Sequence, residues 1–247
     1  NTGTFASQVT GMYFAVTTTT AQATDLIFQR NFIHGLNNQS ASVSASIVGM
    51  YLNSGGGLYR NNIVRVGLDA NGANIPTGMA ISGIWKASGS ASNLYYNTVY
   101  VGGNVSGTTT SLSYALNRTV NVTTDSIFNN VFVNVRTGGD PTPTVFRHYA
   151  VGTQVTLPNM NSNVYFAAGA NATFYRNLTS LIDYTTIGAL RTALGTDMQS
   201  TFADPNFRAP LASTPDLRVQ SPTPVERAGR IPDLGNADAA FLSNAPD

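Results

Sequence analysis

The sequence of 247 residues has no cysteine, one lysine (Lys86) and few charged side chains. The lack of cysteine excludes disulfides, thiolate catalysis and zinc sites with cysteine ligands. Charged residues make up 10% of the chain and the net charge is +1, so the basic surface that nucleic-acid phosphates or anionic membranes need is missing. No stretch approaches the ~18 apolar residues of a membrane span. We therefore expect neither a nucleic-acid partner nor membrane insertion.

The surface must instead be polar through amides and hydroxyls, because asparagine, serine and threonine supply 75 of the 247 positions. Hydrophobic residues make up 42%, which is ordinary for a chain that buries a core. Low charge combined with this polar composition is typical of extracellular proteins. The composition predicts an extracellular or cell-surface location.

One short pattern recurs along the chain. The stretch "LYRNNIVRVG" (58–67) returns as "IFQRNFIHG" (27–35), "LYYNTVYVGG" (94–103) and "IFNNVFVNV" (127–135). Aligning the copies on their second polar residue gives spacings of 31, 36, 32 and 33 residues, within the range of repeat architectures. The aligned residues are Asn31, Asn62, Thr98, Asn130 and Asn163. A second series lies between these copies and contains Tyr13, Tyr51, Trp85, Tyr114 and Tyr149.

Each repeat therefore contains at least two short strands, separated by loops rich in glycine, serine, threonine and asparagine. Helical repeats would need 3.6-residue periodicity, and leucine-rich repeats would need a dense leucine pattern; both are missing. The pattern predicts an all-β fold, a right-handed parallel β-helix (solenoid) of about five to six rungs. We expect one domain over 1–247, with rungs in 1–180 and a closing segment in 181–247.

Stacked rungs place like residues above like, about 4.8 Å apart. An asparagine amide both donates and accepts hydrogen bonds, so a column of asparagines can bond to itself from rung to rung. The alignment predicts that Asn61, Asn97 and Asn129 form this structural ladder, in a column with Arg30 and Ser162. The apolar column expected to fill the core contains Phe32, Ile63, Val99, Val131 and Val164.

The closing segment contains a predicted helix, "TIGALRTALG" (186–195). Thr186 can cap its start, Ile187, Leu190 and Leu194 share one face, and Gly195 suits its end. This helix follows "SNVYFAAG" (162–169) and precedes "FADPNF" (202–207), "PDLRV" (215–219) and "SPTPVERAG" (221–229). With the asparagine turns, this order of motifs resembles secreted right-handed parallel β-helix repeat proteins of the pectin-lyase-like superfamily, including large bacterial surface proteins. The resemblance covers about residues 5 to 235.

Such a resemblance implies the possibility of polysaccharide cleavage, because lyases and hydrolases share the fold. Glycoside hydrolysis needs two carboxyl groups about 5–9.5 Å apart. Asp69 and Asp140 come nearest to this, since they lie in loops two rungs apart, on the order of 10 Å. This separation is borderline, and we assign no catalytic residue. The two histidines are far apart in the sequence, so we predict no metal site and no cofactor.

Other side chains give weaker candidates for a ligand site. His34 and Arg65 occupy equivalent positions in adjacent rungs and could bind an anionic sugar, but a solvent-facing polar pair is the favoured interpretation. His148 is interpreted as a packed scaffold histidine. The aromatic series beginning at Tyr13 could form a flat sugar-binding strip, although packing along the solenoid is favoured.

The leading hypothesis is a non-catalytic extracellular structural or adhesive protein. A polysaccharide lyase, a glycoside hydrolase or a carbohydrate-binding module is the alternative. The first rung shows no covering element, whereas the other end has the closing segment. Residues 1–180 carry a net charge of +4 and residues 181–247 carry −3. We therefore expect self-association along the solenoid axis, with copies joined head to tail into filaments.

Overall fold

The computed structural model describes residues 5–16, 26–140, 142, 145–154 and 159–225. Within these ranges it contains stacked parallel strands that form a β-solenoid of about five turns, with a single short helix, so the predicted fold class is confirmed. The elements, in chain order, are β1 (Gln8–Ala15), β2 (Ile27–Gln29), β3 (Phe32–Ile33), β4 (Ser46–Ser54), β5 (Gly57–Arg60), β6 (Ile63–Val66), β7 (Ala80–Lys86), β8 (Ser92–Tyr95), β9 (Thr98–Val101), β10 (Asn104–Val105), β11 (Ser113–Arg118), β12 (Ser126–Phe128), β13 (Val131–Asn134), β14 (Thr137–Gly138), β15 (His148–Thr153), β16 (Asn159–Asn161), β17 (Val164–Ala167), β18 (Ala172–Asn177), β19 (Asp183–Tyr184), α1 (Ile187–Leu194), β20 (Thr201–Phe202), β21 (Phe207–Ala209) and β22 (Asp216–Val219).

Three sheets run along the solenoid, and each of the five complete rungs contributes one strand to each sheet. The long sheet has the order β1-β4-β7-β11-β15-β18-β19. The pre-corner sheet is β2-β5-β8-β12-β16, and the post-corner sheet is β3-β6-β9-β13-β17-β20. Neighbouring strands are parallel except at the β18/β19 pair, where the chain reverses. Each of the three sheets therefore begins with a strand of the first rung: β1 in the long sheet, β2 in the pre-corner sheet and β3 in the post-corner sheet.

A sharp corner joins the pre-corner and post-corner strands of each rung. Its residue has a left-handed backbone, with φ between 53° and 58° in the five rungs. Asparagine tolerates this conformation better than most residues, which explains its frequency here. The corner residues are Arg30, Asn61, Tyr96, Asn129 and Ser162.

The interior column of the post-corner sheet differs from the predicted one. Strand pairing aligns Ile33, Val64, Val99, Phe132 and Tyr165, which belong to the buried core. Of the predicted column only Val99 points inward. Phe32, Ile63, Val131 and Val164 precede the interior residues by one position and so lie on the outer face, because side chains alternate along a strand.

The residues of the long sheet that lie opposite this interior column are small. A Cβ atom added to Gly83 would lie 2.1 Å from Val99 Cγ1, and one added to Gly49 would lie 2.3 Å from Val64 Cγ1. The same register continues to Ala115 and Ala150. The two sheets therefore approach closely, and the missing side chains make room for the valines.

The closing segment covers one end of the solenoid. The predicted helix is confirmed: Ala189 N donates to Thr186 Oγ1 over 3.1 Å at its start, and Gly195 (φ 64°) follows its last residue. Leu190 is fully buried against the core, with Ile187 and Leu194 packed beside it. The apolar face of helix α1 thus covers the hydrophobic core at the last rungs.

The chain then turns back over the outer face of the post-corner sheet, which the sequence pattern did not predict. Strands β21 and β22 pair antiparallel, and the Tyr100 and Phe207 rings lie 6.2 Å apart. Leu217 packs into an outer apolar cluster with Val131, Val133 and Val164. This cover explains why outer-face residues of the later rungs are buried.

Candidate functional site

An internal asparagine ladder is the most regular polar feature of the solenoid. The side-chain Nδ2 of one asparagine donates to Oδ1 of the next, over 2.8, 2.9, 2.9 and 3.0 Å along the column. The backbone N–H of the same asparagine donates to that Oδ1 as well. The members are Asn31, Asn62, Asn97, Asn130 and Asn163.

Each inner member uses its whole amide. Asn97, for example, accepts two hydrogen bonds at Oδ1 from Asn62 and donates through Nδ2 to Asn130 Oδ1 and to Tyr59 O. The four members after Asn31 are at most 1% exposed. A buried amide with all its groups paired stabilises the fold, whereas an unpaired one would cost about 1–3 kcal/mol. The ladder therefore holds the rungs together.

The ladder runs through the second asparagine of each turn. Asn97 is a member, but Asn61 and Asn129 are not: they occupy the left-handed corner one position earlier, and the buried members are Asn62 and Asn130. The third copy of the pattern, "YYNT", explains the difference. Tyr96 occupies the left-handed corner there, so Asn97 corresponds to the second asparagine of the other turns. Aligning the alternating apolar residues of β6 and β9 would have revealed this register.

The ladder ends differently at its two ends. At the closing segment, Asn163 N donates to Ser200 Oγ over 2.9 Å, and Ser200 Oγ donates to Asp197 Oδ1 over 2.6 Å. Ser200 N also donates to Asp197 O. At the first rung, Asn31 Oδ1 accepts no hydrogen bond from the described residues. Within the described residues, Ser200 therefore terminates the ladder at the closing segment, whereas Asn31 Oδ1 has no donor.

His34 and Arg65 do lie in neighbouring rungs on the outer side of the post-corner sheet, each directly after the paired residues Ile33 and Val64. Arg65 is fully buried, and its guanidinium donates to the backbone oxygens of Asp69, Pro210 and Ala212. It therefore anchors the returning chain rather than facing a ligand.

His34 is half-buried beside Phe32, with a ring separation of 4.5 Å. Burial, aided by the charge of Arg65, lowers the pKa of His34. The imidazole is therefore neutral near neutral pH, which weakens it as a binding group for an anionic sugar.

Asp69 and Asp140 each have local partners. Asp69 Oδ1 accepts from the backbone N–H groups of Asn71 and Ala73 and so shapes its own loop. Asp140 forms an ion pair of 2.9 Å with Arg147. Hydrogen bonds from Arg147 and Thr142 lower the pKa of Asp140 to about 2. Asp140 is therefore ionised at neutral pH and is unsuited to act as a general acid there.

A serine and a histidine lie within hydrogen-bond distance inside the solenoid. Ser113 Oγ and His148 Nδ1 are 2.9 Å apart, and His148 Nε2 lies 3.2 Å from Gly138 O. Burial lowers the pKa of His148 to about 4, so the ring is neutral at physiological pH. Both residues are 1% exposed, and Asn134 Nδ2 donates to Ser113 Oγ. The pair resembles a nucleophile and its base, but both side chains are buried and hydrogen-bonded within the solenoid, as expected of a packed scaffold pair.

A buried charge cluster, which the sequence analysis did not identify, joins the only lysine to an arginine and an aspartate. Asp125 lies 3.3 Å from Lys86 Nζ and 2.8 Å from Arg118 Nε, and all three side chains are fully buried. Burial lowers the pKa of Lys86 to about 8, opposed by the charge of Asp125. Lys86 Nζ also donates to the backbone oxygens of Ser88 and Ser90. The cluster therefore stabilises the loop that follows β7, which contains Ser88 and Ser90.

The predicted aromatic series divides into two groups. Tyr13, Tyr51 and Trp85 are in register on the long sheet, whereas Tyr114 and Tyr149 align three positions earlier. The rings of Tyr51 and Trp85 stack 4.5 Å apart with an interplanar angle of 12°. Stacked rings cover one another's faces, which are the surfaces that a sugar ring would contact. This arrangement favours packing over a carbohydrate-binding strip.

The described part of the chain contains no group of three or more histidine, aspartate or glutamate side chains that could hold a metal ion. No helix in the same ranges is long and apolar enough to cross a membrane. Comparison with family models, with curated proteins and with solved structures gives no match to the chain.

Proposed function

We propose that the chain is a non-catalytic extracellular structural or adhesive surface protein. The proposal is supported by the burial of the potentially reactive side chains inside the scaffold. Ser113, His148, Lys86 and Asp125 are at most 1% exposed and are hydrogen-bonded within the scaffold. Catalysis requires such groups to reach a substrate, and here they connect loops and rungs instead.

The extracellular part of the proposal is supported by composition and by resemblance. Polarity through amides and hydroxyls, with only 10% charged residues, is typical of secreted repeat proteins. The order of the closing motifs resembles that of secreted β-helix proteins in the pectin-lyase-like superfamily, and membership of that group is part of the proposal. An elongated scaffold of stacked rungs suits a surface protein, because length is gained by adding turns without a new core.

Polysaccharide cleavage on the same fold is the alternative, and a turnover assay separates the two. The purified chain would be incubated with a panel of acidic and neutral polysaccharides, and new reducing ends and unsaturated uronates would be measured. We expect no product above the buffer control. Cleavage that disappears in Asp69→Asn or Asp140→Asn, while Asp204→Asn retains it, would replace the proposal with an enzymatic function.

A further inference from the structure

Lys86, the only lysine of the chain, is held in contact with the carboxyl group of Asp125. Its Nζ lies 3.3 Å from Asp125 Oδ1, and both side chains are fully buried. Two N–H groups of the same ammonium donate to the backbone oxygens of Ser88 and Ser90. An ammonium group has three N–H donors, so the third is left for the carboxylate. Transfer of this third proton to Asp125 would leave the nitrogen lone pair directed at the carboxyl group.

The surroundings of Lys86 favour the neutral amine, because burial penalises a charged side chain. Burial lowers the pKa of Lys86 to about 8, although the charge of Asp125 opposes this shift. The neutral amine is the nucleophilic form of lysine. Proton transfer within the pair also removes two buried charges at once. It places an amine in contact with a carboxylic acid, and these are the two reactants of an amide bond.

The carboxyl group of Asp125 is held by a hydrogen-bond donor on each oxygen. Ser92 N donates to Oδ1 over 2.8 Å, and Arg118 Nε donates to Oδ2 over 2.8 Å. Negative charge develops on a carboxyl oxygen when a nucleophile attacks the carbon, and fixed donors in a site without water stabilise that charge. The buried guanidinium of Arg118 is therefore placed to stabilise a tetrahedral intermediate at Oδ2.

Ser92 contributes a second group beside this carboxyl. Its side chain is fully buried, and its Oγ has no hydrogen-bond partner among the described residues. Buried hydroxyl groups are usually hydrogen-bonded, because an unsatisfied one is costly. A hydroxyl both donates and accepts, so it can pass a proton between two neighbouring atoms. The backbone N–H of Ser92 already binds Asp125 Oδ1, which places the unpaired hydroxyl close to the reacting groups.

We propose that Lys86 and Asp125 form an intramolecular isopeptide bond by a self-catalysed condensation within the folded solenoid. Lys86 Nζ transfers a proton to Asp125 Oδ1 and then attacks Cγ, which forms the N–C bond and places the negative charge on Oδ2. A second proton passes from Nζ to Oδ1 through the Ser92 hydroxyl. Oδ1 then leaves as water while the carbonyl group re-forms at Oδ2. One amide and one water molecule are produced, and no other reactant is consumed.

The product leaves Arg118 without a carboxylate, and the fold accommodates a buried arginine of this kind elsewhere. Arg118 Nε would keep its hydrogen bond to Oδ2, now an amide oxygen, and its Nη2 donates to Val122 O. Arg136 is also fully buried, and its guanidinium donates to the backbone oxygens of Ile75, Thr77 and Gly102. A buried guanidinium bound by neutral oxygens is therefore already part of this structure.

The isopeptide bond would join two neighbouring rungs of the solenoid. Lys86 is the last residue of β7 in the third rung, and Asp125 directly precedes β12 in the fourth. A covalent link between them would keep these rungs together when the solenoid is pulled or partly unfolded. Such a link suits a structural protein, but its chemistry depends only on the buried cluster and goes beyond the proposed function.

Mass spectrometry tests the proposal on the unmodified sequence. Freshly purified folded chain would be incubated at about pH 8, near the pKa of Lys86. We expect a species lighter by one water molecule to accumulate in a first-order process whose rate is independent of protein concentration. Trypsin cleaves after Arg65, Arg118 and Arg136, so residues 66–118 and 119–136 should remain joined in the product, without cleavage at Lys86. The unreacted chain should give separate peptides 66–86 and 119–136.

Two variants separate this reaction from other losses of water. Lys86→Arg keeps the positive charge but lacks the amine, and it should retain its full mass. Ser92→Ala keeps the backbone N–H that binds Oδ1 and should slow the reaction by about a hundredfold. Circular dichroism of both variants shows whether they are folded, and the joined fragment is read from the unmodified chain in any case.

Full mass and separate peptides after weeks of incubation of the folded chain would overturn the inference. Equal loss of water in Lys86→Arg would assign that loss to a different reaction and would overturn it as well. An unchanged rate in folded Ser92→Ala would contradict the proton route through its hydroxyl. The polysaccharide turnover assay does not depend on this bond, so the inference and the non-catalytic function fail separately.

Discussion

The side-chain nitrogen of Asn97 lies 2.9 Å from the side-chain oxygen of Asn130, one rung away, and both residues are buried. This hydrogen bond joins the corners of two neighbouring rungs through one pair of side-chain amides. Because all groups of both amides are satisfied, removal of one side chain leaves its neighbours unpaired rather than merely losing one bond.

We expect Asn97→Leu to lower the free energy of unfolding by about 1–3 kcal/mol, because Asn62 and Asn130 would each lose a partner. Urea unfolding followed by circular dichroism measures this change. Asn61→Gly is the matched control, since it keeps the corner φ of 53° and removes an amide outside the ladder. An equal or larger loss in Asn61→Gly would contradict the position of the ladder.

The close packing of the sheets can be tested at Gly83. We expect Gly83→Ala to destabilise the fold by about 1–3 kcal/mol, because the new Cβ would lie 2.1 Å from Val99 Cγ1. Adding Val99→Ala should reduce the cost of Gly83→Ala in a double-mutant cycle. Gly89→Ala, whose Cβ would meet nothing within 4 Å, should have little effect. Strict additivity of the two core changes would argue against the contact.

The buried charge cluster should depend on its carboxylate. Asp125→Asn would leave Lys86 and Arg118 without their counter-ion inside the fold, and we expect a loss of about 3–5 kcal/mol in the free energy of unfolding. The same substitution should cost less when Lys86→Met is already present. Asp140→Asn breaks a partly exposed pair with Arg147 and should cost less than Asp125→Asn. The reverse order of the two losses would contradict the burial of the cluster.

His148 makes the fold sensitive to acid. Burial lowers its pKa to about 4 from an ordinary value of 6.5, so between these values the unfolded chain binds a proton that the folded chain does not. The free energy of unfolding should therefore fall as the pH drops through this window, by up to about 1.4 kcal/mol per pH unit. His148→Gln removes this contribution, and its stability should decline less steeply between about pH 7 and pH 4. Equal slopes in the two proteins would show that His148 titrates normally in the folded state.

The repeat period was enough to predict the solenoid, because stacked rungs require like residues at like positions. The helix at 187–194 was readable from Thr186, its apolar face and Gly195, since its caps are local signals. The sequence alignment predicts the ladder one residue early, at Asn61 and Asn129, because an asparagine pair looks the same whichever member occupies the corner. Only the side-chain alternation of the following strand distinguishes the two.

Other features depend on contacts far apart in the chain. Lys86 and Arg118 meet only because β7 and β11 pair in one register, which brings Asp125 between them. Arg65 is held by backbone oxygens of Pro210 and Ala212, about 145 residues later. No periodic pattern encodes the return of the closing segment, so the sequence alone predicts a solvent-facing Arg65.

Side-chain amide exchange measured by nuclear magnetic resonance tests the register of the asparagine ladder most directly. We predict slow exchange for the Nδ2 protons of Asn62, Asn97, Asn130 and Asn163, and fast exchange for those of Asn61, whose side chain lies at the partly exposed corner. Protection at Asn61 together with rapid exchange at Asn62 would contradict the ladder.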